Sequence, residues 1–317
     1  MFNFNELEEI SGFKIDIGKK YLVAFLDILG FKEYVKECFD EKEFDRLSKA
    51  KKILEKAILV SIKLPIDQAG KWAYFEEDDI KYKQFSDCIC VSVPYSDSDI
   101  RSFIPSFFLL VSIVMSYQLN MFRESFYVRG AISSGFHLES ENVVFSEGLI
   151  KAYVRESKKA VYPRVILDEN VEGILKEIYG DELELKNAIT RLGIDNVILS
   201  DWDNTVFINP FENLIQFSSS EEITAFKKFF QSLLDLNNIK IEREIENRDI
   251  PELLKLIKAD NLSVVSDKVE GSINEVKTGD KDNITKHHIL KKYLWLQELI
   301  KWNQKEAFRI KFEYFLK

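Results

Sequence analysis

Two aspartates stand against apolar runs: Asp27 within Tyr21–Phe31 (YLVAFLDILGF) and Asp87 within Lys83–Val91 (KQFSDCICV). A buried carboxylate without a partner is costly, so each demands a basic group or a metal ion. Two carboxylates at neighbouring strand ends suit Mg²⁺ or Mn²⁺, which take oxygen ligands. Singly, Asp27 also reads as a helix cap and Asp87 as a polar hairpin residue. As a pair, each set in an apolar strand, they point to a shared metal site. Leu29-Gly30-Phe31 follows Asp27 as a tight strand-to-helix turn. Such a turn directs backbone N–H groups outward at a helix N-terminus, where phosphate oxygens bind. The expected ligand is a metal-bound polyphosphate.

The elements that must position these groups follow from periodicity. Tyr21–Asp27 reads as a fully buried strand. Glu33 to Lys63 carries helical spacing with a break near Phe39–Lys42. Trp72–Phe75 and Ile80–Phe85 read as strands, Ser86-Asp87 as a hairpin turn and Cys88–Val93 as the returning strand. Ser96-Asp97-Ser98-Asp99 supplies a helix start for a buried helix over Ile100–Phe122. Phe126–Ser133, Val143–Phe145 and Pro163–Leu167 are strands, with a helix over Glu147–Lys159. This order predicts an α+β fold with a ferredoxin-like βαββαβ core and an extra strand.

Beyond Asp168 the pattern changes, which predicts two parts: a first domain over 1–168 that holds both aspartates, and a mixed α/β extension over 169–317, mainly helical with a β-hairpin. Val171–Tyr179, Ser219–Asn237 and His288–Phe308 read as helices, and Asn196–Ser200 with Thr205–Asn209 as a hairpin. Asn261–Thr285, rich in Asp, Ser, Lys and Gly, reads as a mobile loop.

Bulk properties narrow the function. A net charge of −9 over 317 residues argues against coating nucleic acid or binding an anionic membrane. Three cysteines, Cys38, Cys88 and Cys90, make no disulfide framework and suit a reducing cytoplasm. Met1–Ile10 is polar and acidic, unlike a signal peptide. The most apolar run, Phe103–Tyr117, falls short of the roughly 20 residues a bilayer needs.

In order and spacing, Phe25–Phe31, Phe85-Ser86-Asp87, Val128–Ser133 and Glu147–Ser157 resemble the landmarks of the class III nucleotide cyclase catalytic domain. The match spans Tyr21 to Asp168, about half of the chain. It is closer still to the pyrimidine cyclases of bacterial Pycsar antiphage defence, through Ala152-Tyr153, Pro163-Arg164, Phe207-Ile208-Asn209-Pro210-Phe211 and Tyr293-Leu294-Trp295-Leu296. The resemblance implies conversion of UTP, ahead of CTP, to the 3′,5′-cyclic monophosphate and pyrophosphate. It implies two Mg²⁺ or Mn²⁺ ions held by Asp27, Asp87 and the Ile28 carbonyl, with the triphosphate on Ile28, Leu29, Gly30 and Phe31. It also implies a homodimer with sites at the interface, and a product that acts as second messenger on a separate cyclic-nucleotide-responsive effector.

The sequence departs from the family where purine cyclases carry an Asn and a transition-state Arg: here those positions are Ile150 and Val154. Arg155 and Tyr153 stand as substitutes, and Lys83 falls where purine enzymes keep a base-reading Lys. Arg129 reads as a structural ion-pair residue. Cys88 replaces the Ser expected after Asp87. A purine cyclase and a catalytically silent nucleotide-binding or dimerisation module therefore stay open as alternatives.

Overall fold

The computed structural model describes residues 19–63, 80–96, 102–140, 143–181, 187, 197–212, 250–279, 282–305 and 313–314. The expected strand at Trp72–Phe75 and helix at Ser219–Asn237 lie outside these residues. The fold is α+β, built on a mostly antiparallel sheet.

Strand β1 (Lys19–Ile28) is an interior strand of the sheet, and its apolar run through Leu26 is buried on both faces. Antiparallel on one side lies β3 (Cys88–Ser96), followed by its hairpin partner β2 (Lys81–Phe85); on the other lies β4 (Val128–Gly135). Helices α1 (Phe31–Asp40) and α2 (Phe44–Ile58) follow β1, and α2 ends in a π-helical turn over Leu59–Lys63. The expected break near Phe39–Lys42 falls between them.

Helix α3 (Phe103–Arg123) follows β3 and packs on β3 and β1. It is the one described helix long and apolar enough to cross a membrane, but its apolar residues are mostly buried inside the fold. It is described from Phe103, and the expected start at 97–99 lies outside the described residues. Ser102 precedes it, and its Oγ accepts from Ser96 N–H at 2.8 Å instead of capping the helix.

Alternation along β1 divides the sheet's faces. Leu22, Ala24, Leu26 and Ile28 join the core that contains α3. Val23 and Phe25 face α4 (Glu147–Lys159), where Phe25 meets the Tyr153 ring edge-on at 5.5 Å. Asp27 shares that parity. Ser146 caps α4 by accepting from Leu149 N–H at 2.9 Å. Gly130 lets β4 close against β1, since a Cβ there would sit 2.4 Å from the Phe25 carbonyl oxygen.

Between β4 and α4 a small separate hairpin pairs β5 (His137–Glu139) with β6 (Val144–Ser146). The sequence indicated only its second strand. After α4, β7 (Val165–Leu167) pairs parallel with β4, the geometry a helical crossover produces.

The second half continues this sheet. After α5 (Glu169–Asp181), the expected hairpin appears as β8 (Ile198–Ser200) and β9 (Val206–Ile208), and β9 pairs with β7. β10 (Glu313–Tyr314) completes the far edge. Helices α6 (Ile250–Thr278) and α7 (Asn283–Asn303) pack on each other, and α6 also meets α3.

Helix α6 corrects the expected loop over Asn261–Thr285. Leu262, Val265, Val269 and Ile273 are buried at three- and four-residue spacing. That stripe is narrow enough to hide among the polar residues. The last helix also starts earlier than expected, because Asp282 accepts from Ile284 N–H and Thr285 N–H, each at 3.0 Å, and so caps α7.

Candidate metal and phosphate site

Asp27 ends the buried part of β1, and Asp87 sits in the two-residue turn between β2 and β3. Because β3 pairs directly with β1, the turn returns to the Asp27 end of the strand. Carboxylate oxygens of Asp27 and Asp87 and the Cys88 sulfur all lie within 4.8 Å of one another. All three residues are half-buried. Ser86 adopts φ 57° to make the reversal so tight.

Around Asp27 the contacts are specific. Cys88 donates its S–H to Oδ1 at 3.3 Å, and Arg129 donates Nε–H to Oδ2 at 3.2 Å. The same Arg129 Nε lies 2.6 Å from Glu156 Oε1 on α4. Arg129 thus serves as the expected ion-pair residue, bridging two acids. Burial pushes the Glu156 carboxyl above its usual range, against the pull of Arg129. Burial, followed by the Asp27 and Asp87 charges, pushes the Cys88 thiol up, so it stays protonated beside the carboxylates.

Ile28 is buried opposite Val128, and Leu29 N–H donates to the Tyr127 carbonyl at 2.8 Å. Gly30 takes the left-handed conformation, φ 76°, at the N-cap of α1. A left-handed glycine with no side chain leaves the first N–H groups of α1 without a side-chain cap. Phe31 is half-buried and stacks near Tyr34 at 6.1 Å. The residues expected to hold phosphate therefore stand beside the paired aspartates.

The remaining expected site residues lie apart from this pair. Lys83 Nζ donates to the Ser140 carbonyl at 3.0 Å and sits 3.8 Å from Glu139 Oε1, so β2 is tied to the β5–β6 hairpin. Arg155 pairs with Glu169 at 3.1 Å and Glu172 at 3.8 Å on α5. Tyr153 is 55% exposed, and Ile150 and Val154 are exposed beside it. By helical spacing these three share one face of α4, and Phe145 just before the helix is exposed as well.

Sequence reasoning missed Glu156 as the second acid on Arg129, and Lys292 on α7. Lys292 is half-buried. Burial first, then Arg129, lowers its pKa, while Glu33 and Asp27 oppose that shift. No local signal marks either residue, because their partners are distant in the chain.

The donor set fits a divalent cation. Arg129 holds one oxygen of Asp27, no basic residue among the described ones contacts Asp87, and each carboxylate retains lone pairs beyond the contacts described. The neutral thiol beside them adds a weaker donor. No family model matches this chain, and no curated protein matches it.

Proposed function

We propose that the chain is a pyrimidine nucleotide cyclase of the class III type, converting UTP, ahead of CTP, to the 3′,5′-cyclic monophosphate. The convergence of Asp27 and Asp87 beside the Leu29-Gly30-Phe31 turn carries this reading. The order β4-β1-β3-β2 within the sheet, with helices between, supports the ferredoxin-like core on which that chemistry is built.

The 3′-oxygen of the nucleotide attacks its own α-phosphorus, the bond from that phosphorus to pyrophosphate breaks, and the hydroxyl proton leaves to solvent. Asp27 and Asp87, with the Ile28 carbonyl, would hold Mg²⁺ or Mn²⁺. Bound metal supplies Lewis acidity, easing loss of the hydroxyl proton and neutralising the triphosphate. Arg129 keeps the Asp27 carboxylate oriented. The uncapped N–H groups of α1 receive phosphate oxygens. Positioning and charge neutralisation are the main requirements of phosphoryl transfer, so a dedicated base is unnecessary.

The apolar patch of Phe145, Ile150, Tyr153 and Val154 supports a homodimer that brings α4 of one protomer to the aspartates of the other. Tyr153 would reach the partner's nucleotide; Arg155 would do so only by leaving Glu169. The cyclic product would act on a separate effector in antiphage defence, in the cytoplasm.

The engagement of Arg155 by Glu169 and Glu172 favours one second reading, a catalytically silent nucleotide-binding module. Incubation with the four ribonucleoside triphosphates and Mn²⁺, with mass identification of products, separates the two. A cyclic pyrimidine monophosphate is expected. A cyclic purine overturns the base assignment, and no product with any substrate overturns the cyclase reading.

A further inference from the structure

Arg129 stands between two acids with a single Nε–H to give. That N–H is directed at Asp27, with Nε 3.2 Å from Oδ2. Glu156 Oε1 is nearer, 2.6 Å from the same nitrogen, yet it lies off the line of the N–H and, among the described residues, accepts no hydrogen bond. Its place is fixed by its surroundings. Glu156 is 2% exposed on α4, and Ser157 donates Oγ–H to its other oxygen at 2.9 Å. Arg129 Nη1 also reaches the Ala160 carbonyl at the end of the same helix, at 3.5 Å. The guanidinium is thus seated on α4 while its Nε–H points across to β1.

A buried carboxylate oxygen left without a donor costs stability and calls for an explanation. The paired aspartates supply one. Arg129 offsets the Asp27 charge and occupies one of its oxygens, so a divalent ion arriving there meets a cation already in place. That ion repels the guanidinium and frees the Nε–H, which then needs another acceptor. Glu156 Oε1 is already in contact with Nε, so reorientation of the N–H suffices and the side chain need not travel.

We propose that Glu156 is a positioning residue for the metal: it takes over the Arg129 Nε–H when a divalent cation binds Asp27 and Asp87. Arg129 then orients the free carboxylate and yields to the ion. This rests on the paired-aspartate metal reading, and it makes the C-terminal part of α4 a determinant of ion affinity.

The full chain and its Glu156→Gln, Arg129→Gln and doubly substituted variants are titrated with Mn²⁺ alone, free ion being read by electron paramagnetic resonance. Circular dichroism melts report folding. In Glu156→Gln the guanidinium keeps Asp27 as its one acid, so Mn²⁺ affinity should fall roughly tenfold. With Arg129→Gln already present, adding Glu156→Gln should change affinity by less than about twofold. Loss of a negative charge by itself would weaken binding in both backgrounds. A second readout uses the wild-type chain and does not depend on any variant folding. On Mg²⁺ addition the Arg129 Nε–H proton resonance should shift and stay protected from solvent exchange. A resonance that is unchanged, or lost to exchange, overturns the proposal, as does wild-type Mn²⁺ affinity in Glu156→Gln or an equal loss in both backgrounds. A wild-type chain that binds no Mn²⁺ overturns the metal reading and this role with it. If Mn²⁺ binds and the loss depends on Arg129, yet no triphosphate is cyclised, the Glu156 assignment stands and the cyclase reading fails.

Discussion

Asp27 and Arg129 face each other across the β1–β4 ladder as register partners, and the guanidinium Nε lies 3.2 Å from the carboxylate. The carboxylate is thus aimed by a residue on the neighbouring strand. Arg129 has a second acid, Glu156, at 2.6 Å. Replacing Asp27 consequently leaves Arg129 paired.

Asp27→Asn and Asp87→Asn should each abolish measurable cyclic nucleotide formation while the melting temperature stays within a few degrees of wild type. Loss of a metal ligand removes several kcal/mol of charge stabilisation, on the order of a thousandfold in rate. Product detection by mass spectrometry and Mn²⁺ titration provide the check. Substantial activity in either variant rules out the paired-aspartate site.

Ile150→Glu combined with Val154→Glu places two charges on the exposed apolar patch of α4. Neither side chain is buried in the protomer, so the fold should be unaffected. Sedimentation should show a monomer in place of a dimer, and activity should fall with it. A dimer that persists in the double variant means the subunits meet elsewhere.

Arg164 is fully buried, bonded to Asp201 and to Asp203, with its guanidinium over the Tyr162 ring. Arg164→Met leaves two acids without their cation, and a broken buried pair costs about 3–5 kcal/mol. Arg164→Lys should recover little, since an ammonium cannot serve both acids with a planar fork. Urea unfolding measures the loss; a change below about 1 kcal/mol would put this pair in the class of weak surface bridges.

The same group of residues sets a pH dependence. Burial raises the Asp203 carboxyl, but the hydrogen bond and charge of Arg164, with bonds from Thr205, outweigh it and leave its pKa below the ordinary Asp value. A depressed carboxyl contributes stability that is complete above the unfolded pKa, about 4, and is lost as pH falls through the lower folded pKa. Asp201 is shifted the other way, chiefly by burial, so it must be separated out. The stability difference between wild type and Asp203→Asn should therefore shrink as pH falls below about 4. Denaturant melts across that range test it, and a constant difference refutes it.

Much of the architecture was legible because its signals are local. The run through Leu26 announced a buried strand, and the helix expected over Glu147–Lys159 is α4 with the same bounds. The paired aspartates were legible for the same reason, Asp27 being the one charged residue in its run and Asp87 standing at the head of the apolar Cys88–Val91. Helix α6 was not, since its buried stripe of Leu262, Val265, Val269 and Ile273 is a minority among charged and small residues. Lys83 and Arg155 illustrate the harder limit. Their types suited a nucleotide, but what each touches depends on the β5–β6 hairpin and on α5, segments far along the chain.

The continuation of the sheet from β7 into β9 bears on how this protein can be handled. A chain shortened after Asp168 would bare the β7 edge, with its unpaired N–H and C=O groups, and would strand Arg164 without acids. Exposed edges recruit one another. The shortened chain should precipitate rather than yield a minimal enzyme, and the intact chain should lose both halves in a single melting transition.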